Sequence, residues 1–127
     1  TVMMEMDSEA TVTCSLSYAS RLENNRFPEV FIRAECESGS VELCPDYWVK
    51  VTTQEGTLAQ RYPPAHYTWA APGFELVQSA IVPCNAHLLH AIESGEPAET
   101  SGEDNLKTMR LVFGAYESAH TGQSIRF

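Results

Sequence analysis

Residues 101–122 read "SGEDNLKTMRLVFGAYESAHTG" and carry their own start and stop signals. Ser101 is a candidate N-cap with Asp104 three residues on, close to a capping box. Glu103 and Asp104 also complement the positive end of a helix dipole. Leu106, Met109, Phe113 and Tyr116 recur at helical spacing, with Val112 widening the apolar stripe. Gly122, just after Thr121, suits the left-handed residue that ends a helix. Gly114 inside the helix costs up to ~1 kcal/mol relative to Ala and predicts close approach by another backbone. One amphipathic helix lies here, and it needs an apolar surface to cover its stripe.

The tail "SIRF" alternates and predicts a last short strand. Upstream, Ile81, Cys84 or Asn85, Leu88 and Ile92 follow helical spacing from Ser79, with Pro83 expected in the first turn and Gly95 as the stop. Before that helix, "RYPPAHYTWAAPGF" is rich in proline and aromatics and reads as an ordered loop.

The first half changes period. Val2, Met4 and Met6, the turn "DSE", and then Val12, Cys14, Leu16 and Tyr18 predict an antiparallel hairpin. Val30, Ile32, Ala34 and Cys36 alternate up to "SGS", followed by Val41 and Leu43, then Tyr47, Val49 and Val51, and a Glu55-Gly56 turn into Leu58. One strand face is apolar, while the other mixes polar groups with Phe31 and Trp48. The fold expected is α+β, an open, mainly antiparallel sheet of five to six strands with two helices packed on one face, forming a single domain over residues 1–127.

The chain has 127 residues, 43% hydrophobic and 20% charged, with eight Lys and Arg against 17 Asp and Glu. The resulting charge of -9 has the wrong sign for tracking a phosphate backbone, so neither nucleic acid nor an anionic membrane is an expected partner. Cys14, Cys36, Cys44 and Cys84 form no Cys-x-x-Cys pair and read as buried free thiols of a reducing, cytoplasmic compartment. No basic-then-apolar leader precedes the strands.

Chemistry-bearing motifs are sparse. The glycines never approach Gly-x-Gly-x-x-Gly or a Walker pattern, and no Gly-x-Ser-x-Gly elbow occurs. Cys84, His87 and His90 share a helical spacing, but it is not that of a known zinc motif, so no metal site is expected. His66, Tyr67 and Trp69 combine an imidazole with aromatic walls suited to a small polar molecule, although the same rings could simply pin the loop to the sheet. Arg21 and Arg26 could receive an anionic substrate or balance Glu23 and Glu29. The candidate substrate-binding set is therefore His66, Tyr67, Trp69 and Arg21.

The segment "SAIVPCNAHLLHAIESGEPAETSGEDNLKTMRLVFGAYESAHTGQSIRF" resembles the C-terminal end of the Gfo/Idh/MocA family of NAD(P)-dependent oxidoreductases. "FIRAECESGSVEL" resembles that family's strand-turn-strand, with Cys36 where Gly is often found. The resemblance implies a C-terminal α+β portion, with Thr1 aligned just after the helix that bears the family's catalytic aspartate and histidine. The Rossmann domain and the Glu-Lys-Pro lysine are absent, so no catalytic or cofactor-binding residue can be carried over. NAD or NADP is implied for the longer protein only, together with a sugar- or polyol-like substrate and a homo-oligomer formed through the open sheet. The mixed face with Met3, Phe31, Arg33 and Trp48 is the expected interface. The alternative is a freestanding interaction or small-ligand-binding domain without catalysis.

Overall fold

The structure is a computed structural model that describes residues 1–22 and 28–127. Arg26 and Glu23 therefore lie outside the described residues. The chain divides into two compact units, one of Thr1–Ser20 with His87–Phe127, the other Arg21–Ala86.

In the first unit, β1 (Val2–Glu5) pairs antiparallel with β2 (Thr11–Cys14), with Met3 opposite Thr13. The turn is closed by Glu9 N–H donating to the Met6 carbonyl and Met6 N–H donating to the Ala10 carbonyl, both at 2.9 Å. Glu9 takes the left-handed position with φ 65°, where such loops favour glycine.

Helix α2 (Gly102–Thr121) starts and stops where its sequence signals predict. Ser101 Oγ accepts the Asp104 N–H at 3.1 Å, and Gly122, at φ 69°, donates its N–H to the Ser118 carbonyl at 2.8 Å. Gly114 is buried, but not by a backbone: a Cβ there would run into the ring of Phe127, with Cε1 at 3.0 Å. Residues 124–127 form no strand. Among the described residues no neighbouring strand pairs with them, and the tail is used to bring Phe127 onto α2.

The second unit holds a four-stranded antiparallel meander in the order β3 (Ile32–Cys36), β4 (Gly39–Cys44), β5 (Trp48–Thr53) and β6 (Gly56–Arg61). Two-residue turns at Glu37–Ser38 and Gln54–Glu55 fix the register. The register lines up Ile32, Leu43 and Val49, and beside them Ala34, Val41, Val51 and Leu58, on one face. The opposite face carries Arg33, Glu42 and Lys50 in a row, with Arg33 bonded to Glu35 at 2.6 Å, and ends in Cys44, Trp48 and Arg61. The α+β class stands, with six strands among the described residues divided between two sheets. Met3 consequently lies in a different sheet from Arg33 and Trp48, so the four residues expected to share one mixed face do not.

Helix α1 (Glu75–Ser94) begins a turn earlier than Ser79. Gln78 explains the difference: its N–H donates to the Phe74 carbonyl at 3.0 Å while its Oε1 accepts the Ala71 N–H at 2.8 Å, tying the loop to the first turn. Pro83 is thus interior and leaves the Ser79 carbonyl without its helical donor. Gly95 ends the helix as expected, at φ 75°.

The apolar faces that the sequence builds are largely uncovered. Ala91 is the one buried hydrophobic residue among those described; Phe113 on the α2 stripe is 64% exposed, and Ile32, Val41, Val51 and Leu58 on the sheet face are all exposed. Cys14, Cys36 and Cys84 are exposed and Cys44 half-buried, so the four are free thiols but not the buried ones expected. The accessible surface is 11060 Å² for 14.1 kDa. Two separate compact bodies sharing that mass would expose only about 8,100 Å² together, so the excess does not depend on how the units are arranged.

Candidate ligand-binding cleft

The concave feature nearest the predicted chemistry lies within the second unit, where β6 leaves the sheet and the proline-rich segment begins. It is an open cleft of about 390 Å³, within the range of small-molecule sites. Tyr47, Arg61, His66 and Glu75 supply its polar groups. Pro63, Pro64, Gly73 and Leu76 complete the wall, the prolines restricting the backbone that carries His66.

Arg61 enters the cleft because of strand register. It pairs with Trp48 at the end of the β5–β6 ladder, beside the turn Pro45–Tyr47 that connects β4 to β5. Its Nε donates to the Asp46 carbonyl at 3.1 Å and its Nη2 to Asp46 Oδ1 at 2.8 Å. The fork of the guanidinium is thereby held in one orientation. Asp46 and Tyr47 have φ of 59° and 64°, two successive non-glycine residues in the left-handed region. Each such residue costs on the order of 1–3 kcal/mol and persists only where its surroundings hold it. Here the hold is the Arg61 fork, together with the Tyr62 N–H donating to the Tyr47 carbonyl at 2.9 Å.

The four expected site residues do not come together. His66 lines the cleft. Tyr67 and Trp69 stack on each other with centroids 5.1 Å apart and planes 28° from parallel, so their rings brace the loop internally without forming the cleft wall. Arg21 is exposed and lines no part of this cleft. Sequence reasoning missed Arg61, Tyr47 and Glu75. Arg61 opens the very stretch singled out, but its meeting with Asp46 and Tyr47 is visible only once the register is known.

Among the described residues no group of three or more His, Cys, Asp or Glu side chains is placed to hold a metal ion, and no helix is long and apolar enough to cross a membrane. What the cleft offers is hydrogen bonding from a fixed cation, an imidazole, a phenol and a carboxylate.

No protein-family model matches the chain. It is 30% identical over 98% of its length to a D-apiose dehydrogenase of Paraburkholderia graminis, covering 33% of that protein. Against a D-apiose dehydrogenase of Rhizobium rhizogenes the identity is 32%, again over 98% of the chain and 36% of the relative. The chain thus spans about a third of the length of the curated relatives it matches. A solved oxidoreductase from Agrobacterium radiobacter, in complex with NAD+, L-tartaric acid and magnesium, superposes with a TM-score of 0.91 at 32% identity, over 97% of this chain and 36% of that one. The chain is accordingly similar, in sequence and in fold, to one part of larger oxidoreductases.

Proposed function

We propose that these 127 residues form the substrate-side part of an NAD(P)-dependent oxidoreductase of the Gfo/Idh/MocA type that acts on a sugar or polyol. The observation that carries this reading is the 0.91 superposition, at 32% identity, on an oxidoreductase solved with NAD+. The two D-apiose dehydrogenases support a sugar as the substrate class. The uncovered faces of α2 and of the four-stranded sheet support it further, because apolar surface on this scale is stable in water only when something covers it. In this reading the cover comes from the rest of the enzyme and from a second copy associating through the open sheet, in the cytoplasm.

The bound nicotinamide would accept or supply the hydride. This chain, which has no glycine-rich phosphate loop, would not transfer hydride alone. Its part would be to bind and orient the substrate, with the loop carrying His66 forming one wall of the pocket.

The test is a spectrophotometric assay of nicotinamide reduction by the native protein, with NAD+ or NADP+ and a panel of aldoses and polyols including D-apiose. Turnover of at least one sugar by the native protein, and none by residues 1–127 alone, is expected. An absence of turnover across the panel with both cofactors would refute the reading. Light scattering should show a homo-oligomer; a strict monomer at high concentration would remove the sheet-mediated association.

A further inference from the structure

We propose that the cleft between the Pro45–Tyr47 turn and the start of α1 binds a hydroxy monocarboxylate, a sugar acid, with Arg61 receiving the carboxylate. The inference rests on the reading above that this cleft faces the substrate side.

Three observations lead to that ligand class. Arg61 is oriented in advance: Asp46 occupies two of its five N–H donors, at Nε and Nη2, and among the described residues the others have no protein partner. A guanidinium with its plane fixed and donors to spare suits a planar carboxylate better than a single hydroxyl. Next, Tyr47 and His66 line the same cleft and can each donate or accept, which is the chemistry that recognises a chain of hydroxyls. Finally, Glu75 lies in the first turn of α1 on the same wall and accepts only. It favours hydroxyl donors and repels a second anionic group, so a dicarboxylate is disfavoured.

The strained turn fits this role. Holding Asp46 and Tyr47 left-handed keeps the Asp46 carbonyl and carboxylate together in reach of one guanidinium. Without the turn, Arg61 would swing freely in solvent and lose the advantage of orientation.

The experiment is isothermal titration of the native protein with D-gluconate, D-glucitol and galactarate, which share a six-carbon hydroxylated chain and carry one, no and two carboxylates. Gluconate should bind about tenfold or more tightly than glucitol, the size of one charge-assisted contact. Arg61→Gln should abolish that preference. Glu75→Gln should strengthen galactarate by about tenfold relative to gluconate, a gain that misfolding cannot imitate. Asp46→Asn should weaken gluconate severalfold while Arg61 remains. Equal binding of gluconate and glucitol, or an unchanged preference in a folded Arg61→Gln, would overturn the site, as would wild-type galactarate binding as tight as gluconate.

Titration is independent of turnover. Gluconate binding through Arg61 without any nicotinamide reduction would leave the site standing and remove the oxidoreductase reading. Sugar turnover with no gluconate preference would do the reverse.

Discussion

Replacing Gly39 with alanine should destabilise the four-stranded sheet more than any other single methyl added at a turn glycine. Gly39 opens β4, facing Cys36 on one side and Thr53 on the other. Its φ is +155°, and a Cβ there would lie 3.2 Å from the Thr52 carbonyl carbon and 3.4 Å from Thr53 Cα while colliding with the Thr52 carbonyl oxygen. The obstacle is backbone, and Thr52 is held in register by Ser40 and Thr57, so it cannot step aside cheaply. Backbone strain contributes about 1–3 kcal/mol, and forcing a methyl into occupied space contributes about 1–3 kcal/mol more. Gly56→Ala supplies the control. Gly56 also pairs with Thr53 and has φ +133°, yet nothing lies within 4 Å of its added Cβ, so it should show the strain alone. Urea denaturation of the native protein followed by circular dichroism, with the m-value monitored, gives both losses. Equal losses for the two variants would refute the argument that the Thr52 carbonyl crowds Gly39.

Three further outcomes are expected. Ser101→Ala removes the acceptor of the Asp104 N–H and should cost about 1 kcal/mol, read as a lower melting midpoint, with Ser101→Asp restoring it. Pro83→Ala returns a donor to the Ser79 carbonyl inside α1 and should raise stability by as much as about 3 kcal/mol; a loss in the same urea titration would mean that the helix needs the proline's local geometry. Gly114→Ala places a methyl where the Phe127 ring sits, so amide hydrogen exchange over residues 123–127 should speed up while helix content holds or rises, and unchanged exchange there would contradict the packing of Phe127 on α2.

The elements legible in the sequence are those governed by short-range rules. Ser101, Gly95 and Gly122 mark helix ends because the unpaired backbone groups there need a specific side chain or a left-handed residue within a few positions. The strands of the meander were legible for the same kind of reason, since period-two alternation and two-residue turns constrain each other locally. Features in which one residue's role depends on a distant neighbour carry no such local signal. The start of α1 depends on Gln78 reaching back to Ala71, and the fate of the tail depends on Phe127 meeting Gly114 and not a strand.

The candidate site divides along the same line. His66 was recognisable because an imidazole in an aromatic, proline-rich segment is conspicuous, whereas Tyr67 and Trp69 turned to each other and stack. Arg61 and Asp46 are fifteen positions apart and meet only because the β5–β6 ladder sets Arg61 opposite Trp48, next to the turn. By itself the sequence determined the α+β class, the helix limits set by caps and the apolar faces, all of which follow from local backbone chemistry and side-chain period. Only the tertiary structure decided that those faces remain exposed in this chain and that a guanidinium, a phenol, an imidazole and a carboxylate share one cleft, because long-range register and burial are properties of paired segments that no single segment contains.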